Sequence, residues 1–127
     1  MHGADRMVRA MRAFLLAVLL ASIAVPAAAA PEVRSCGNVD RSDRFGRPSA
    51  HGAFGIFYLR AQGAGCRPAR RLAHRWLGWA EQASKPTRPH VVGGYLCRSH
   101  APAAQELAVR CSTKTALVRF TWKIANG

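Results

Sequence analysis

Proton-transfer chemistry needs a histidine held against a carboxylate. Beyond residue 30 the sequence offers four histidines (His51, His74, His90, His100) and five acids (Glu32, Asp40, Asp43, Glu81, Glu106). Only His74 and Glu81 fall on one predicted element. They stand seven residues apart on a helix, about 10 Å along its axis, too far to share a proton. His51, His90 and His100 fall in predicted loops with no acid nearby. Ser112-Thr113 lies in a predicted turn with no neighbouring histidine. Solvated loop histidines are the ordinary state of such residues, so the chain reads as non-enzymatic. Zinc sites need closely spaced ligand pairs, and the nearest cysteines here are Cys97 and Cys111. No metal or other cofactor is expected, and the four cysteines (Cys36, Cys66, Cys97, Cys111) read as two disulfides.

The second available chemistry is anion recognition. A predicted helix carries Arg67, Arg70, Arg71 and Arg75 on one face, with His74 and Gln82. Guanidinium groups bind phosphate and carboxylate through a planar fork of donors, so these four arginines are the candidate anion-binding residues. The bland alternative is a solvated helix face. Trp79 flanks this face and is placed to stack on a base or a sugar, or else to close the edge of the core. Trp76 and Trp122 read as core.

Charge points the same way. The chain holds 19 Lys and Arg against 6 Asp and Glu. Setting aside Arg6, Arg9, Arg12 and Asp5 leaves 16 against 5, a net +11 over residues 31–127. Such a field attracts anionic polymers and anionic membrane surfaces. Most of the basic residues are Arg, amid abundant Ala, Gly and Pro, a composition that GC-rich codon usage also produces. The implied partners are an anionic cell-envelope polymer, an acidic protein or a lipid surface. No motif for a specific nucleic acid is present.

The elements that must position these residues follow from pattern. Arg6, Arg9 and Arg12 precede an apolar run from Ala13 to Val25, then Pro26, then small residues from Ala27 to Ala30. That is the order of a cleavable secretory signal over residues 1–30. The apolar run falls short of the roughly 20 residues that span a bilayer. The protein is therefore expected outside the cell, where thiols oxidise. The remaining 97 residues make one domain. A chain of that size buries only about 60–65% of its unfolded surface, and covalent crosslinks are expected to compensate.

Residues 31–53 are polar and turn-rich and read as an arm or loop tied down through Cys36. Residues 54–127 read as a small disulfide-stabilised α+β domain. A strand over Ile56–Ala61 places Phe57, Leu59 and Ala61 on one face. A helix over Arg67–Ala83 has Ala69, Leu72, Ala73, Trp76, Leu77 and Ala80 on one stripe. Pro86 and Pro89 make 84–90 a loop. Strands follow over Val91–Arg98, with a bulge at Gly93-Gly94, then Leu107–Cys111 and Leu117–Ile124. The expected architecture is one amphipathic helix on a mainly antiparallel sheet of about four strands, in the order β-α-β-β-β.

Cys36-Gly37, Leu59-Arg60-Ala61-x-Gly63, Cys66-x-x-Ala69-x-x-Leu72-Ala73, Gly94-Tyr95-x-Cys97, Cys111 and Val118-x-Phe120-x-Trp122 form one pattern. It resembles a group of small secreted disulfide-containing proteins of high-GC Gram-positive bacteria, mostly without assigned function. The resemblance covers residues 36–122. It implies an exported, disulfide-bonded α+β fold and no activity, cofactor or catalytic residue. The segment between Cys36 and the first strand is longer here than in that pattern. Four cysteines allow three pairings. Cys97 and Cys111 lie on strands that can be neighbours, which favours Cys97–Cys111 with Cys36–Cys66. The rival joins Cys66 to Cys97 or Cys111.

These readings converge on a secreted basic protein, a non-enzymatic binding module for an anionic partner. The first alternative is an inhibitor of a protease or other hydrolase, acting through 38–53 or 84–90. The second is a basic secreted hydrolase such as a nuclease.

Overall fold

The computed structural model describes residues 31–125. The expected secretory signal over 1–30 lies outside the described residues. Seven elements follow in chain order: β1 (Val33–Ser42), β2 (Phe54–Gln62), α1 (Cys66–Ala80), β3 (His90–Val92), β4 (Tyr95–Ala103), β5 (Glu106–Ser112) and β6 (Leu117–Lys123). The strands form one antiparallel sheet in the order β1-β2-β6-β5-β4-β3. This corrects the expected four strands in β-α-β-β-β order. The strands number six, and sheet outweighs helix.

Two local features account for the extra strands. Residues 31–53 are not a separate arm, because β1 pairs along β2. Only Cys36 of β1 is buried, and Val39 packs partly against the core. An edge strand with so little to bury carries no alternating pattern to read. The second feature is the Gly93-Gly94 pair, whose φ values are +54° and +83°. These two residues close a hairpin between the paired Val92 and Tyr95. Two-residue hairpins of this kind require positive φ at both central positions. The expected single strand over Val91–Arg98 is therefore two strands and a turn.

Helix α1 begins near the expected position and ends three residues early, at Ala80. Pro68 occupies its first turn, where a missing N–H costs nothing. The stripe predicted from spacing, Ala69, Leu72, Ala73, Trp76, Leu77 and Ala80, is the buried side. Trp76 is fully enclosed and meets Phe120 and Trp122 of β6 edge-on, with centroids 5.4 and 5.6 Å away. Each such contact adds about 0.5–1.5 kcal/mol beyond the area buried.

The covered face of the sheet carries Ile56, Leu59 and Ala61 from β2. Simple alternation placed Phe57 with Leu59 and Ala61. Tyr58 has a φ of +56°, and the β2–β6 register shifts between Phe57 and Arg60. A bulge of this kind adds one residue and reverses the alternation before it. Ile56 therefore faces the helix and Phe57 the other side. There Arg41 and Lys123 cover the Phe57 ring, at 5.2 and 4.9 Å from its centroid.

Two disulfides complete the domain. Cys36–Cys66 ties β1 to the first turn of α1, and Cys97–Cys111 joins paired positions on β4 and β5. Their sequence separations are 30 and 14. Loop-closure entropy at those lengths predicts losses of about 3.5 kcal/mol for Cys36→Ala/Cys66→Ala and about 3 kcal/mol for Cys97→Ala/Cys111→Ala. Urea unfolding of each double variant measures the loss.

Gly78 supplies a complementary test. It lies on the exposed side of α1, and an ideal Cβ there meets nothing within 4 Å. Gly78→Ala should stabilise the protein by about 0.5–1 kcal/mol. A thermal melt with no rise in Tm would contradict the open geometry.

Candidate functional site: an arginine row on the uncovered sheet face

Strand parity decides which side chains α1 covers. In β5 and β6, Leu107, Val109, Cys111, Val118, Phe120 and Trp122 are buried in the core beside the helix. The residues between them must point away. On the outer parity each of four adjacent strands contributes one arginine: Arg60, Arg119, Arg110 and Arg98. Register then aligns them. Arg60 pairs with Arg119, Arg119 with Arg110, and Arg110 with Arg98. Four guanidinium-bearing residues thus stand in one row across β2, β6, β5 and β4. At about 4.8 Å between strands, the row is about 14 Å long.

All four residues are exposed. Their side chains make no hydrogen bond or ion pair with another described residue. The described carboxylates pair elsewhere or stand apart: Glu106 with Lys123 at 3.9 Å, Asp43 with Arg47 at 3.8 Å and Asp40 with His74 at 2.5 Å. Like charges placed directly opposite on neighbouring strands repel. Nothing described offsets this row, which makes it a locally destabilising arrangement.

Beside the arginines lies a second row, in which His100, Ala108 and Thr121 are paired in turn. Phe57, paired with Thr121, continues that row, and Tyr58 stands beside it at the same end, 63% exposed, with Lys123 Nζ 5.6 Å from its ring centroid. The two rows line a shallow trough of about 610 Å³. Its floor is made of small side chains, its flank of arginines, and its ends of Tyr58 and His100.

The helix arginines are arranged differently. Arg67, Arg70, Arg71 and Arg75 are all exposed. Arg70 donates from Nη2 to the Cys36 carbonyl at 3.1 Å, so it braces β1 against α1. Arg75 lies alongside the Gly93 turn. The four do not converge on a cavity. Trp79 is half-buried, and one face of its ring stacks on His90 at 4.1 Å and 7°. That face is already occupied by a protein ring.

Folding also creates a contact that sequence spacing did not reveal. His74 Nδ1 and Asp40 Oδ2 lie 2.5 Å apart, although 34 residues separate them in the chain. Both line a cleft of about 550 Å³ with Ser42, Glu81, Leu77 and Gly78. A hydrolase using this dyad would hold either a hydroxyl nucleophile or a water at the imidazole. Ser42 makes no hydrogen bond to His74, so the first contact is not formed. Among the described residues no group of three or more His, Cys, Asp or Glu side chains gathers as a metal site.

One signal of the row was present in the sequence. Arg119 sits on the polar parity of the most regular strand pattern, and Arg110, Arg98 and Arg60 sit on the polar parity of theirs. What sequence lacked was the register. The chain matches no protein-family model, no curated protein and no solved structure. Among the described residues no helix is long and apolar enough to cross a membrane.

Arg119 is flanked by arginine on both sides, so its removal relieves two repulsions. Arg119→Thr should raise stability at low ionic strength, by about 0.2–1 kcal/mol per relieved pair. The gain should shrink as salt screens the exposed charges. Thermal melts in low and high sodium chloride measure both effects.

Proposed function

We propose that this protein is an exported, non-enzymatic binding module that holds an anionic partner on the uncovered face of its sheet. The observation that carries the reading is the register-aligned row Arg60–Arg119–Arg110–Arg98 with no acidic partner. An uncompensated row of this kind costs stability. A ligand that supplies the missing negative charge converts the cost into affinity. Guanidinium forks suit phosphate, carboxylate or sulfate oxygens. Export is supported by the two disulfides, which form and persist in oxidising compartments. The resemblance to small secreted disulfide-containing proteins belongs to the same reading.

A second reading, inhibition of a secreted hydrolase, draws on the segment between β1 and β2. Asp43 Oδ1 accepts the backbone N–H groups of Phe45 and Arg47 at 2.8 and 3.0 Å. Arg41 donates to the carbonyls of Gly52 and Ala50 at 2.8 and 2.7 Å. The loop is thus braced from both sides, and Phe45 stands 64% exposed at its tip. A rigid loop binds at lower entropic cost. Inhibition of a secreted protease that is lost in Phe45→Ala and kept when the arginine row is removed would favour this reading over the first.

A charge-matched comparison tests the first. One variant replaces Arg60, Arg98, Arg110 and Arg119 by Gln; the other replaces Arg67, Arg70, Arg71 and Arg75 by Gln. Both lose the same net charge. On a heparin column the row variant should elute at clearly lower salt than the helix variant. Equal elution would reduce the interaction to net charge and remove the site.

A further inference from the structure

We infer that the partner of the arginine row is single-stranded nucleic acid, its phosphodiester backbone running across the strands and an unpaired base resting on Tyr58. This inference rests on reading the row as an anion site and adds the chemistry of the anion. The first argument is the donor and acceptor inventory of the trough. Each arginine side chain offers five N–H donors and no acceptor. The floor between them and the next strand pair is Ala108 and Thr121, and no carboxylate lines the trough. A phosphodiester chain presents acceptors only, so it satisfies such a surface without leaving donors unmatched. An anionic polysaccharide brings hydroxyl donors beside each charged group, and this surface has few acceptors to receive them.

The second argument is the placement of the rings. Tyr58 shares the outer parity of Arg60, and the β2 bulge leaves it side by side with Phe57 on that face. The Tyr58 ring is 63% exposed and carries an apolar body with a polar tip, the form of side chain that stacks on a planar ligand. Tyr58 lies at one end of the trough and His100 at the other, both beside the arginines. A basic track edged by flat rings is how sequence-tolerant single-strand binders work: the backbone follows the charges and the bases stack. A duplex keeps its bases stacked on one another and gives Tyr58 nothing to hold. A lipid surface would need a broad exposed apolar patch. On this face the large exposed apolar side chains are Val91 and Leu96, paired at the β3–β4 edge, and Tyr58 at the other end of the trough.

The test uses the full chain with both disulfides formed, titrated into labelled oligo(dT) of about 12 nucleotides, within the usual site sizes. The comparison ligands are an abasic phosphodiester oligomer of the same length, polyglutamate of the same charge, and the matching duplex. Oligo(dT) should bind at least ten-fold more tightly than the abasic chain, since base stacking is worth roughly five- to hundred-fold per base. Tyr58→Leu should bring oligo(dT) down to the abasic level, and Tyr58→Trp should restore it. Each Arg→Gln replacement in the row should lower the slope of log K against log salt by about 0.7.

Row-dependent binding in which the abasic chain, the duplex or polyglutamate matches oligo(dT), or in which Tyr58→Leu has no effect, would overturn the nucleic-acid inference and leave the anion site standing. Unchanged binding of every ligand after removal of the row would overturn both.

Discussion

The one helix among the described residues can cover only one face of the sheet, and Trp76 fixes which face that is. Its ring is wedged edge-on between Phe120 and Trp122, and the rest of the α1 stripe follows it onto β2, β5 and β6. Because side chains alternate along a strand, committing Val109, Phe120 and Leu59 to the helix commits their neighbours to water. The uncovered face is therefore a consequence of the core. It is also where the domain could afford to place charge.

The disulfides hold this one-sided arrangement together at the points where packing is thinnest. β1 is an edge strand whose main buried contribution is Cys36, and the bond to Cys66 anchors it to the start of the helix. Arg70 reinforces the same junction through the Cys36 carbonyl. The bond between Cys97 and Cys111 holds β4 against β5 in register. That register sets Arg98 opposite Arg110. The covalent framework thus preserves the alignment of the candidate site as well as the stability of a small core.

Two basic surfaces share the domain, and their geometry separates them. Arg67, Arg71 and Arg75 recur every fourth residue along the exposed, convex side of α1, about 6 Å apart per step. Side chains on one row of a sheet stand side by side, so Arg60, Arg119, Arg110 and Arg98 add their fields along a line. The His74–Asp40 pair sits in a different cleft, and Ser42 makes no hydrogen bond to it. It fastens α1 to β1.

Much of this was legible in the chain itself. The helix and its buried stripe, the last two strands with their inward sets, and the reading of four cysteines as two disulfides all follow from local periodicity and compartment. Those are properties of neighbours in sequence, and a period of two or of 3.6 is visible wherever one face is buried. The six-stranded sheet was not legible, because β1 buries too little to show a period and Gly93-Gly94 looks the same in a bulge as in a hairpin. Nor was the site. Each arginine could be placed on the outer parity of its own strand, but Arg60 and Arg119 are 59 positions apart and meet only through hydrogen-bonded pairing. Parity is written into each segment. Register is decided between segments, by the tertiary fold that brings them together.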